Sequence, residues 1–127
     1  MPYRFLNHKV ANTIAYLSCS YKLGIVTNGY ADSQLSRLQA SGLDRYFSTV
    51  VVSESVGYRK PAPEIFKIAL DELQAYLSAT LFVGDSIAHD YQGAVNAGLD
   101  FCYFGGASIE IETQHAIAHM SQLQEIL

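Results

Sequence analysis

Two carboxylates five positions apart, Asp85 and Asp90, follow an almost continuous apolar run in the segment "TLFVGDSIAHDYQGAVNAG", residues 80–98. An acid at the tip of a buried strand must be solvated, capped or coordinated. Two carboxylates brought to about 4 Å repel by about 4 kcal/mol at an effective dielectric of 20. A hard divalent cation that takes oxygen ligands, such as Mg2+, removes that cost. Lys60 precedes Pro61, which pushes its backbone toward extended geometry and sets its side chain to meet an anion beside a helix start. Thr27-Asn28-Gly29 brings a hydroxyl, an amide and exposed backbone N–H groups close together, a set that binds phosphate oxygens. The three groups together are the parts of metal-assisted phosphoryl chemistry. Each also has a plain structural alternative. Asp90 is equally a first-turn acid favoured by the helix dipole, Lys60 and Arg59 taken singly read as solvated surface cations, and Asn-Gly is a common turn.

The elements around these residues alternate between helix and strand. Residues 7–18 have Val10, Ile14 and Leu17 at helical spacing, with Asn7 as N-cap. "KLGIVT", 22–27, reads as a strand closed by Asn28-Gly29. A helix follows over 32–41 and stops at Gly42, then a strand over 48–53. Pro61 and Pro63 announce a helix with an apolar stripe of Ile65, Phe66, Ala69, Leu70 and Leu73. Residues 80–84 form a third strand, 88–97 a small-residue helix ending at Gly98, and 100–104 a fourth strand. The tail suggests a short strand near 116–118 and a helix from Ser121. Strands apolar on both faces belong in a parallel sheet covered by helices on both sides. The class is α/β, doubly wound. In such sheets ligands sit beyond the carboxyl ends of the strands. That singles out Thr27 to Gly29, residues 54–60, Asp85 to Asp90, and Gly105-Gly106.

Bulk properties narrow the partners. The 127 residues fit one domain. Half are hydrophobic and 16% charged, below the roughly 25% usual for soluble domains, which points to uncovered apolar surface. The net charge of -4 and the lack of a basic stripe argue against nucleic acid. No apolar run reaches the roughly 18 residues of a membrane span. Arg4 and Lys9 are not followed by a signal-peptide core, so a cytoplasmic location is expected. Cys19 and Cys102 have no metal or redox spacing and read as two buried thiols.

"LGIVTNG", "GYRKPAPEIF" and "FVGDSIAHDYQGAVNAG" resemble the second, third and fourth motifs of the haloacid dehalogenase-like hydrolase superfamily. The phosphatase branch with a helical cap is the nearest in flavour. The resemblance implies a Rossmann-like core and a Mg2+-dependent phosphomonoester hydrolase acting on a small phosphorylated molecule. It implies that Thr27 binds a phosphoryl oxygen and that Asn28 and Gly29 help frame the pocket. Lys60 would offset charge on the phosphate and the nucleophile, Asp85 would ligate Mg2+, and Asp90 would complete or orient the metal site. Lys60 and Thr27 are then the catalytic residues retained. His89 falls where the pattern varies. Tyr30, Tyr58 and Tyr91 adjoin motifs and read as aromatic packing, with the rim of a substrate pocket as the alternative; His8, His115 and His119 read as surface or packing residues.

One departure is decisive. The family's first motif is a strand ending Asp-x-Asp, which carries the nucleophile and the general acid. The six aspartates here, Asp32, Asp44, Asp71, Asp85, Asp90 and Asp100, include no such pair, and the first thirty-one residues carry no carboxylate side chain. In the family that strand lies between those corresponding to "KLGIVT" and "TLFVG". Each large apolar side chain it buries is worth about 1.5–3 kcal/mol, so its loss approaches ~10 kcal/mol against a usual total of 5–15. Residues 1–127 are therefore expected to form a partial core whose central first strand is missing. Compensation would come from a complementing chain, a homodimer that exchanges elements, direct closure of the two halves, or a working start upstream of Met1. The other readings are a non-catalytic remnant that binds phosphate, metal or a partner, and a metal-free dehalogenase.

Overall fold

The computed structural model describes residues 8–29, 36, 38–105 and 115–127. Helix α1 (His8–Ser18) turns Ile14 and Leu17 into the core. Strand β1 (Gly24–Thr27) follows. The helix expected over 32–41 lies partly outside the described residues; its last turn, α2 (residues 38–41), ends at Gly42 in the left-handed region with φ 73°. Strand β2 (Thr49–Val52) runs into a single turn, α3 (Ser53–Val56). Helix α4 (Pro63–Leu73) begins on a proline, whose missing N–H is an unsatisfied first-turn donor in any case. Its stripe is deeply buried at Ile65, 0% exposed, and Phe66, 2% exposed. Strand β3 (Leu81–Gly84), a wide turn over Ile87–Tyr91, helix α5 (Gln92–Ala97) and strand β4 (Asp100–Phe104) complete the second half. Strand β5 (His115–Ile117) and helix α6 (Leu123–Ile126) form the tail.

The strands are parallel and helices cover both faces, the α/β doubly wound class read from the sequence. One face is built on α4, whose Ile65, Phe66 and Ala69 pack with Val26, Val51, Phe82, Ala97 and Leu99. The other holds Leu17 of α1 and Leu123 of α6 against Cys102, Ile117, Leu81 and Val83. Phe82 and its neighbours Leu81 and Val83 thus alternate between the two layers, as a strand buried on both sides must.

The sheet is parted. Among the described residues, strand β1 pairs only with β2, from Gly24 opposite Thr49 to Thr27 opposite Val52. Strand β3 pairs with β4, and β4 with β5, in a separate three-stranded sheet. The order expected at one continuous sheet edge is therefore interrupted at the place where the resemblance puts the missing first strand. The break is visible in burial as well. Three of the four β2 residues are buried, whereas no residue of β1 or β3 is.

One expectation is corrected. Cys102 is buried in β4, but Cys19 is exposed just past the end of α1, because the helix turns only one face to the core. Burial also pushes the Cys102 thiol up from its ordinary range, away from the reactive thiolate. Iodoacetamide at mildly alkaline pH is expected to modify Cys19 in the native chain and Cys102 only after denaturation. Mass spectrometry of tryptic peptides reads this directly, and equal native labelling of both would mean that β4 is not held in the core.

Candidate active site

The site forms where the carboxyl ends of β1 and β3 approach one another. At the end of β1 the Thr27 hydroxyl oxygen accepts from the Gly29 N–H at 3.1 Å, which tightens the turn. The next side chain, Asn28, clamps the backbone of a residue thirty-two positions later. Its Oδ1 accepts from the Lys60 N–H at 2.7 Å and its Nδ2 donates to the Lys60 carbonyl at 3.0 Å. Pro61, joined to Lys60 by a cis peptide bond, is held from the other side by Asn96 Nδ2, which donates to its carbonyl at 3.0 Å. The Lys60 backbone is thereby fixed between β1 and α5 before its side chain makes any contact.

The Lys60 ammonium reaches Asp90, with Nζ 2.6 Å from Oδ1. The other Asp90 oxygen accepts from the backbone N–H groups of Asp85 and Ser86, at 3.1 Å each. Asp90 is 5% exposed, and a buried carboxylate is tolerated only when paired and hydrogen-bonded in this way. The local backbone explains how it gets there. Ser86 caps the turn by accepting the His89 N–H on its hydroxyl. The Ser86 carbonyl then takes both the Asp90 and the Tyr91 N–H groups, a wide turn with one extra residue per ring. That turn folds Asp90 back over Gly84. A Cβ on Gly84 would collide with Asp90 Cβ, Cγ and Oδ2, so only glycine allows the approach. Gly93 does the same one turn later, since a Cβ there would lie 2.6 Å from the Phe66 ring and 3.4 Å from Pro61 Cα.

Lys60, Asp85 and Asp90 share one hollow of about 400 Å³, which is otherwise lined mainly by apolar residues, among them Gly24 to Val26 of β1 and Leu81 to Gly84 of β3. Thr27 stands outside that lining, although Asn28 ties its turn to Lys60. Asp85 is exposed, and its carboxylate makes no hydrogen bond among the described residues. Asp90 thus orients Lys60 and the backbone that carries Asp85. Lysine has three donors; Asp90 takes one, leaving two for an incoming anion. Arg59 is exposed. Tyr58 is exposed too, and Tyr91 packs edge-on against Phe101 at 5.7 Å. Tyr30 and Gly106 lie outside the described residues. Asn96, Gly84 and Gly93 are contributors that the residue pattern did not single out. The two glycines carry a readable signal only as small residues flanking an acid before a helix; Asn96 carries none.

A family model described as haloacid dehalogenase-like hydrolase matches residues 6–104. The chain belongs to the haloacid dehalogenase-like hydrolases. Among its relatives, pyrimidine 5'-nucleotidase YjjG of Escherichia coli is 36% identical over 111 residues, covering 84% of this chain and 49% of that protein. Glyceraldehyde 3-phosphate phosphatase of Methanothermobacter thermautotrophicus is 33% identical over 119 residues, covering 87% and 53%. Among solved structures, the HAD-hydrolase YfnB of Bacillus subtilis, bound to magnesium, superposes with a TM-score of 0.85 at 33% identity, over 94% of this chain and 53% of that one. The chain spans about half the length of these relatives.

The donors that this haloacid dehalogenase-like chain brings to the hollow do not by themselves fit a Mg2+ site. Six oxygens are the usual demand. Asp85 offers one free carboxylate, both Asp90 oxygens are committed, and the described residues contain no cluster of three metal-ligating side chains. Among the described residues, no helix is long and apolar enough to cross a membrane.

If Asp90 organises the site, its removal costs more than removal of Lys60. Asp90→Ala strands an ammonium and two backbone donors and is expected to destabilise by about 3 kcal/mol, the low end for breaking a buried pair because Lys60 keeps some water access. Lys60→Met leaves Asp90 held by two N–H groups and is expected to cost about 1 kcal/mol. Urea unfolding of the two variants measures the difference; equal losses would show that the amide contacts to Asp90 contribute nothing.

Proposed function

We propose that this chain supplies the lysine and metal-edge part of a Mg2+-dependent phosphomonoester hydrolase whose nucleophilic carboxylate comes from outside residues 1–127. The observation that supports it is the meeting of the Lys60 ammonium and the Asp85 carboxylate in one hollow at the strand ends, both positioned by Asp90. In this reading Lys60 donates to a phosphoryl oxygen and to the nucleophile, countering the negative charge that otherwise keeps two anions apart. Asn28 holds the lysine in place, and Thr27 and Gly29 present a hydroxyl and a backbone turn to the phosphate. Asp85 would hold Mg2+ only together with oxygens from outside residues 1–127, and the metal would there supply charge neutralisation at the phosphoryl group. The relatives that act on nucleotides and glyceraldehyde 3-phosphate support a small phosphorylated substrate.

Two outcomes are expected. The chain alone, with Mg2+ and an aryl phosphate, releases no phosphate, and calorimetry finds Mg2+ binding no tighter than about millimolar, as suits a site with few protein ligands. When a peptide with the missing Asp-x-Asp strand is added, phosphate release begins, requires Mg2+, and falls by about 10²–10³ in Lys60→Ala, the usual cost of removing one electrostatic contact in an active site. Steady turnover by the chain alone, abolished by Asp85→Ala, would falsify the need for an outside nucleophile. Failure of every acidic strand peptide to restore release would favour a non-catalytic binding role.

A further inference from the structure

The wide turn that delivers Asp90 also carries a histidine that the core does not use. His89 is exposed, yet its ring is tethered. Nδ1 lies 3.3 Å from Ser86 Oγ, and the same oxygen accepts the His89 backbone N–H at 3.1 Å. Holding an exposed side chain in one orientation costs rotamer freedom, with little burial here to offset it.

Ser86 decides which ring nitrogen carries the proton. One lone pair of its hydroxyl oxygen is taken by the His89 N–H. Among the described residues its hydroxyl hydrogen has Nδ1 as its acceptor and no other. A neutral imidazole has one donor and one acceptor nitrogen. With Nδ1 accepting from Ser86, the proton rests on Nε2, the nitrogen left free.

The tether also fixes where that donor stands. The Ser86 N–H donates to Asp90 Oδ2 at 3.1 Å, and Asp90 Oδ1 holds Lys60 Nζ at 2.6 Å. Ser86 follows Asp85 directly, with the two Cα atoms about 3.8 Å apart. At the strand carboxyl ends the hollow is lined by Lys60, Gly84, Asp85 and Asp90, of which only Asp85 is exposed. Its opening there lies beside Asp85, on the segment that carries His89. A phosphomonoester whose phosphoryl oxygen meets Lys60 extends its alcohol part through that opening, since the deeper walls are apolar side chains such as Leu17, Phe66 and Leu70. Ile87 and Ala88, also exposed on the turn, have no polar side-chain atom. The free Asp85 carboxylate disfavours a second anion nearby, so the acceptor that suits Nε2–H is an uncharged oxygen.

We propose that His89 is a specificity-determining residue that donates from Nε2 to a hydroxyl oxygen on the alcohol part of the ester, with Ser86 as its positioning residue. The substrate class it selects is the phosphomonoester of a polyol or sugar, over that of a plain alkyl alcohol. This deepens the hydrolase reading and rests on it for the phosphoryl group at Lys60. The tether and the tautomer stand without it.

Long-range 1H–15N spectra of the chain at pH 8 read the tautomer. Titration with glycerol 3-phosphate and with propyl phosphate, which differ by two hydroxyls, reads the preference. His89 is expected to show the Nε2–H form, and Ser86→Ala to mix the two forms. Both esters are expected to shift the Lys60 side-chain signals, with glycerol 3-phosphate binding about fivefold tighter, the net worth of one hydrogen bond. His89→Gln keeps an N–H at the place of Nε2 and is expected to retain most of that preference. His89→Asn, whose amide reaches only the place of Nδ1, is expected to abolish it while both esters still bind. Should Ser86→Ala not fold, the two His89 variants decide. Equal affinity for the two esters in the native chain, or a preference that survives in His89→Asn, overturns the assignment and leaves the hydrolase reading intact. Binding of neither ester, with the Nε2–H form present, removes the hydrolase reading and the specificity role together. A mixture of tautomers in the native chain overturns the positioning by Ser86.

Discussion

A carboxylate out of contact with water must find partners, and the organisation of this site follows from how Asp90 finds them. Its two oxygens collect an ammonium and two backbone N–H groups. That places the side chain of one motif on the turn of another and joins residues thirty positions apart. Gly84 makes the approach sterically possible, and the wide turn after Ser86 brings Asp90 over it. Asn28 and Asn96 do for the Lys60-Pro61 backbone what Asp90 does for the Lys60 side chain. The outcome is a division of labour between two acids of identical chemistry. Asp90 is consumed in positioning, and Asp85 is left exposed with its carboxylate available.

The second constraint is the parted sheet. Two small parallel sheets are not joined by strand pairing among the described residues; they are joined through the helical layers. Phe66 meets Phe82 edge-on, with ring centroids 4.8 Å apart, and α4 packs on both β1 and β2 and against α5. Such edge-to-face contacts add about 0.5–1.5 kcal/mol beyond the area they bury. The helices thus keep the two halves in register about a space that no described strand occupies. The Lys60 ammonium sits 5.7 Å over the Phe82 ring at one end of that space, so the same aromatic residue bridges the sheets and backs the candidate catalytic cation.

Much of this was legible in the residue order. The alternation of "GIVT", "TVVV", "LFVG" and "DFCYF" with helical stripes is a local pattern, and local patterns act over a few residues. The sequence reading accordingly placed each of those strands within two residues at either end. Gly98 ends α5 in the left-handed conformation, φ 79°, as a C-terminal glycine should. That Lys60, Asp85 and Asp90 share one hollow follows from a doubly wound sheet delivering the ends of its strands to one side, whereas Thr27 stands outside its lining. The exposure of Cys19 was not, because a residue just past a helix end is set by which face the helix buries.

What the sequence determined by itself is the class of fold, the order of its elements, the family motifs and the lack of an Asp-x-Asp pair, since each is a matter of residue type and short-range spacing. Tertiary structure decided which acid is spent and which is free, that Asn28 and Asn96 hold Lys60, and that β1 and β3 face each other across a hollow without pairing. Those facts depend on contacts between residues thirty or more positions apart, whose geometry is set by helix packing and by the energetic need to satisfy buried polar groups. No spacing along the chain encodes that need directly.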